Sequence, residues 1–211
     1  MQEAAVGFRV HSGWSAVVAV RLEKGAPAVL HRQRVELVET FTYSFRQPYH
    51  TAKKMELAEA RKFISQMRAK ARDRAYRAMR GLKAELEEMG YELSRGALLL
   101  ASGRPLPELE RILASHALIH TADGELFRES LLHASARCGL EIICIKDRKL
   151  LEQASNALRL PQASLLRRAA ELGRPFGAPW SQDEKFATLA AWLASVPSKK
   201  GNSKVLAGKP A

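Results

Sequence analysis

The sequence predicts an α/β domain built on a mixed five-stranded sheet with flanking helices. Three observations predict it. The first 38 residues carry strand-like runs joined by short turns. From about residue 52 the apolar spacing switches to the helical period. Two later apolar runs, at residues 97–101 and within LEIICIKD, alternate with helical patterns as crossover units do. Three antiparallel strands followed by two crossover units give a mixed sheet.

In chain order, residues 6–11, VGFRVH, form a short strand ending at Ser12 and Gly13. Residues 14–22, WSAVVAVRL, read as a buried strand, EKGAP as a turn, and residues 28–38 as a third, imperfectly alternating strand. RQPYHTAKK breaks the pattern. From about Ala52 to Met89, Leu57, Ala60, Ile64, Met67, Ala71, Ala75, Ala78, Leu82, Leu86 and Met89 form one stripe at spacings of three and four. A helix of that span is about 57 Å long. GYELSRGALLLAS supplies a fourth strand, ended by GRPLP. Residues 108–116 fit a short helix, and residues 122–137 a longer one with Gly139 as its C-terminal cap. LEIICIKD is the fifth, buried strand. Helices follow in RKLLEQASNAL, in ASLLRRAAELG and at residues 182–195, the last with Asp183 and Glu184 at the positive end of its dipole. Residues 1–196 read as one domain and residues 197–211 as a disordered, lysine-containing tail.

The formal charge is +12, from 34 Lys/Arg against 22 Asp/Glu. Charge of this sign favours nucleic acid, anionic lipid or an acidic protein as partner. The densest basic segment is the long helix, with eleven Lys/Arg between Lys53 and Lys83 against Glu56, Glu59 and Asp73. Lys54, Arg61, Arg68, Arg72, Arg77 and Arg80 are its candidate nucleic-acid contacts, and Tyr76 is available for stacking. The plain alternative is a solvated helix face. Cys138 and Cys144 make no disulfide framework and read as small buried hydrophobes in a reducing compartment. No basic leader precedes an apolar run, and no run approaches the roughly 18 residues of a membrane span. A cytoplasmic protein is the expectation. Walker, GxSxG and CxxC motifs are absent, as are zinc-finger, RNP and helix-turn-helix signatures.

The element order, the first-strand stretch GFRVHSGWSAVVAV and the Asp183-bearing last helix resemble the ribonuclease H-like fold. In size and helix placement the chain is similar to bacterial Holliday-junction resolvases of the RuvC type, over roughly residues 5–195. The resemblance implies clustered carboxylates holding divalent ions that activate water and stabilise the leaving oxygen. Such a family places an aspartate on the first strand, an acid at the end of the fourth and acids on the last helix. Here His11 takes the first position, Ala101 and Ser102 the second, and only Asp183, with Glu184 beside it, matches. Hard Mg²⁺ prefers oxygen ligands, so a His in place of an Asp is not neutral. A divalent metal remains an open cofactor, and a non-catalytic relative stands beside an enzyme.

SHALIHTADGELFRE, residues 115–129, is the other chemical cluster. With a helix starting near Thr121, that residue caps it and Asp123 favours its first turn. Its N-terminus then lies at the sheet edge where the first strand ends, so His11, His116, His120, Asp123 and Glu125 converge. Two histidines at i, i+4 can share a metal such as Zn²⁺, a carboxylate can orient one imidazole, and His can serve as acid or base. The plain reading makes them capping and core-edge residues. HSG is either a hairpin turn or a phosphate cradle, with the turn preferred. In RPFGAPWSQ, Phe176 and Trp180 dock a loop on the core in preference to forming a lid.

The expectation is a cytoplasmic nucleic-acid-binding protein of ribonuclease H-like fold, a divergent or inactive nuclease. One alternative is an active metal-dependent nuclease with His11, His116, His120, Asp123 and Asp183 as catalytic residues. The other is a non-enzymatic interaction module whose basic helix meets an acidic protein partner. The oligomeric state is left open.

Overall fold

The structure, a computed structural model, describes residues 1–101 and 105–196. The expected lysine tail, the Ser102 position and part of GRPLP lie outside the described residues. Five strands form one sheet: β1 (Gln2–His11), β2 (Trp14–Glu23), β3 (Ala26–Glu36), β4 (Tyr91–Leu100) and β5 (Glu141–Lys146), in the order β3-β2-β1-β4-β5. The β1–β2 and β2–β3 pairs are antiparallel, and β1–β4 and β4–β5 are parallel. The expected meander and two crossovers are present. The carboxyl ends of β1, β4 and β5 therefore share one edge of the sheet, where sites in open sheets form.

β1 sorts its residues between two faces, because successive strand side chains point opposite ways. Ala4, Val6, Phe8 and Val10 enter the larger core, which also holds the apolar faces of α3 (Leu57–Glu88) and α5 (His116–Arg137). Ala5, Gly7, Arg9 and His11 face α8 (Gln182–Ser195). Gly7 sets how near that helix comes. A Cβ there would collide with the Ala187 carbonyl and come within 2.7 Å of Ala191 N, so the missing side chain lets the α8 backbone cross the strand directly. A capping box starts α8: Ser181 Oγ accepts from Asp183 N–H at 3.0 Å, and Glu184 Oε2 accepts from Ser181 N–H at 2.7 Å.

Two helix boundaries differ from the sequence reading. The stretch expected as one helix from residue 52 divides. α1 (Tyr43–Arg46) and α2 (Pro48–Ala52) come first, then a turn, then the 32 residues of α3, about 48 Å long. Pro48 at the first position of α2 starts that short helix early, with its fixed φ already suited to a helix. The α3 seam buries Ala60, Ile64, Met67, Ala71, Ala75, Met79, Leu82 and Leu86, so Met79 fills a place expected for its neighbour Ala78.

The helix expected to start near Thr121 starts at His116. Ser115 caps α5 by accepting from Leu118 N–H at 3.5 Å, and Thr121 lies inside the helix, donating to the Ala117 carbonyl at 3.0 Å. Both residues are good caps by chemistry, but Ser115 is the one with extended backbone, after the short α4 (Leu109–Leu113).

α6 (Leu150–Leu158) and α7 (Gln162–Leu172) pack with α8 over the second face of the sheet. Trp180 docks the loop before α8 as expected, donating Nε1–H to the Ala169 carbonyl at 2.8 Å and stacking on Phe176. Ser12 and Gly13 make the β1–β2 hairpin turn, with Gly13 at φ +89°. Both cysteines are free and half-buried, and burial pushes both thiols up. Among the described residues, no helix is long and apolar enough to cross a membrane.

Candidate functional site

Three elements meet at the carboxyl edge of the sheet. Arg9, on β1, donates from Nη1 to Asp183 Oδ1 at 2.9 Å and from Nε to Asp147 Oδ2 at 3.2 Å. His11 Nε2 lies 2.7 Å from the same Asp183 oxygen. Asp147 follows β5 directly, and Asp183 stands in the first turn of α8. Strand alternation places Arg9 and His11 on one face, and the parallel order brings Asp147 to the same edge. The side chains of Arg9 and Asp183 are 18% and 20% exposed, so their attraction is screened less than that of a surface pair.

This donor set does not fit a two-metal nuclease centre. The Oδ1 of Asp183 already accepts from Arg9 and contacts His11. The guanidinium supplies the positive charge that a Mg²⁺ ion would bring, and it engages Asp147 as well. The chain continues from β4 into Ala101, which has no oxygen ligand in its side chain.

Beside this cluster runs a stack of arginines and aromatic rings that sequence reasoning missed. The His11 and Trp14 rings stack at 4.5 Å across the hairpin. The Arg34 guanidinium lies 3.9 Å from the Trp14 ring centroid and 5.0 Å from that of Phe41, and Arg46 lies 4.5 Å from Phe41 on its own account. Glu36 holds Arg34 Nε at 2.6 Å. Trp14, Arg32, Arg34, Pro179, Ser181 and Asp183 all line an open groove here, and Phe41 is 44% exposed. The β2–β3 pairing creates the stack by setting Trp14 opposite Glu36 and Ala16 opposite Arg34. That register could not be read from composition.

The second cluster of candidates sits on the other face. His116 and His120 project from the first turns of α5, and Asp123 is buried one turn on. His50 of α2, also missed, joins them with its Nδ1 at 2.5 Å from Asp123 Oδ2. Asp123 Oδ1 accepts from Tyr49 N–H at 2.7 Å. Burial pushes the Asp123 carboxyl up, against the pull of these two hydrogen bonds. Burial also raises the Glu125 carboxyl, against the pull of Arg128 at 3.2 Å. The candidates thus form two groups, His11 with Asp183 and His116 with His120 and Asp123. Both groups reach one shallow crevice of about 340 Å³, which His11, Ala101, His120 and Arg128 line.

The basic helix is more neutralised than its composition suggested. Arg61 pairs with Glu110, Arg68 with Glu129 and Arg77 with Asp73. Lys54, Arg72 and Arg80 carry no ion pair among the described residues. Tyr76 lies beneath Arg137 at 3.8 Å and near Arg80 at 5.9 Å.

Among solved structures, the chain is similar to Thermus thermophilus RuvC in complex with a Holliday-junction substrate. The TM-score is 0.51 at 12% identity, over 91% of this chain and 92% of that one. The fold is ribonuclease H-like, in the RuvC arrangement. A second Thermus thermophilus RuvC structure matches at TM-score 0.49 and 11% identity, over 90% of this chain and 91% of that one. No protein-family model matches the sequence, and no curated protein matches it. Within the RuvC-like frame, His11 ends β1, Ala101 follows β4 and Asp183 opens α8.

Proposed function

We propose that this protein binds nucleic acid at the carboxyl edge of its RuvC-like sheet and does not cleave it by a two-metal route. The observation that carries the reading is the stack from His11 through Trp14, Arg34 and Phe41 to Arg46, of which Trp14 and Arg34 line an open groove. Exposed aromatic rings give bases a stacking platform, and interleaved guanidinium groups attract phosphate. The formal charge of +12 adds long-range attraction. Arg72 and Arg80 of α3 lie beside α5, near His133 and Cys138, and add to the overall charge without lining this groove. The Arg9–Asp183–Asp147 cluster takes a positioning role, holding α8 and β5 against β1.

Fluorescence anisotropy with labelled single-stranded, duplex and branched DNA across a salt series tests this reading. We expect binding that weakens steeply with salt and falls roughly tenfold in Phe41→Ala, as loss of one stacking platform does. Binding that heparin matches and Phe41→Ala leaves unchanged would favour an acidic protein partner instead.

A further inference from the structure

We propose that His50, His116 and His120 form a site for one divalent ion of the Zn²⁺ class. The three side chains come from α2 and from one face of α5, where residues four apart lie one above the other. One ring nitrogen from each can be chosen so that all three lie within 4.8 Å of one another. A tetrahedral ion with Zn–N bonds of 2.0–2.1 Å needs those atoms about 3.4 Å apart. His116 and His120 are exposed and free to rotate inward by that difference.

His50 is the fixed member. Its Nδ1 lies 2.5 Å from Asp123 Oδ2, and the tautomer that donates Nδ1–H to this carboxylate keeps the Nε2 lone pair for an ion. Asp123 is itself locked, 2% exposed and accepting from Tyr49 N–H. A carboxylate behind an imidazole is the arrangement that orients a metal-binding histidine and raises its basicity. It also gives a reason for the buried carboxyl, which is costly unless paired and hydrogen-bonded. The ring centroids already cluster, His50 to His120 at 4.4 Å, His116 to His120 at 4.5 Å and His50 to His116 at 5.6 Å.

Three imidazoles select a borderline transition metal over Mg²⁺, and they leave a fourth position for water or an exogenous ligand. The ion ties α2 to the start of α5. It also adds positive charge near the crevice that His120 and His11 share. The site stands apart from the His11–Asp183 cluster, and its test is independent of nucleic-acid binding.

The experiment is calorimetric titration of tag-free, chelator-treated protein with Zn²⁺, paired with Co²⁺ absorption and X-ray absorption of the Zn²⁺ form. We expect one equivalent bound, the intense visible bands of four-coordinate Co²⁺, and a nitrogen and oxygen shell near 2.0 Å. The double variant His116→Ala, His120→Ala, with both positions exposed, should lose binding while its circular dichroism is unchanged. Asp123→Asn should weaken binding tenfold to a hundredfold with the stoichiometry kept at one. Should the double variant unfold, His116→Ala alone gives the same reading through loss of the cobalt bands. Absence of uptake, uptake that survives loss of the histidines, or sulfur in the metal shell would overturn the assignment.

Discussion

His11 and Asp183 are separated by 172 positions in the chain, and His11 Nε2 lies 2.7 Å from Asp183 Oδ1. The contact depends on Gly7, which lets α8 cross β1 closely enough to bring its first turn over the end of the strand. Arg9 shares that face and binds the same oxygen. The corner where a RuvC-like sheet brings its first strand and last helix together is thus occupied by a charge network in which Arg9 bridges Asp183 and Asp147.

Gly7→Ala should destabilise the protein by about 1–3 kcal/mol, the range for overpacking a core. Its Cβ has backbone on the opposite side, and backbone cannot swing away as a side chain does. Chemical denaturation gives the value. A variant as stable as the parent would mean that α8 lies farther from β1.

Asp183→Asn should cost about 1–3 kcal/mol, as loss of a charged partner for a part-buried group does. It should also raise nucleic-acid affinity several-fold, because it removes a negative charge from the groove wall. Denaturation and anisotropy on the same sample read both effects. A fall in affinity would show that Asp183 contacts the ligand through a bound cation.

Arg34→Ala should weaken DNA binding roughly tenfold with little change in salt slope, since Glu36 already neutralises the Arg34 charge at 2.6 Å and the loss is of the guanidinium stacked between Trp14 and Phe41. Arg77→Ala should change affinity much less, because Asp73 already neutralises Arg77 at 2.8 Å. Equal losses in the two variants would move the interface to α3.

Glu125→Gln gives a pH-dependent effect with a definite sign. Burial raises the folded-state value of this carboxyl above its unfolded value, so the folded protein holds the proton more tightly. The group's stability contribution is present below the unfolded value and is lost as pH rises through the folded value. Going from neutral pH towards pH ~4.5, the wild type should therefore gain melting temperature relative to Glu125→Gln. A parallel pair of melting curves across that window would contradict the shift.

The sheet was legible because Val-rich and Ala-rich runs alternate and end at Gly-containing turns. Its two parallel crossovers followed from the helical segments between strands. The start of α5 was not legible, because Ser115 and Thr121 are both good caps and only the backbone path selects one. The turn between α2 and α3 was also hidden, since residues 53–56 contain neither Gly nor Pro.

The site was legible in part. His11 and Asp183 were visible as positions in a resemblance, and Arg9 could have been added from the period of two that puts it on the His11 face. Asp147 needed the parallel β4–β5 register. The stack through Arg34 needed the pairing of β2 with β3, and His50 lay in a segment that read only as a break in pattern. Long-range partners of this kind leave no periodic trace in the chain.

The most direct measurement takes the DNA form bound most tightly and incubates it with excess protein in millimolar Mg²⁺ or Mn²⁺. A native gel reports complex formation, and a denaturing gel reports strand length. The account predicts a retarded complex containing only full-length strands. Discrete metal-dependent products that disappear in Asp183→Ala would contradict it, because they would place a working ion at the corner that Arg9 and His11 fill.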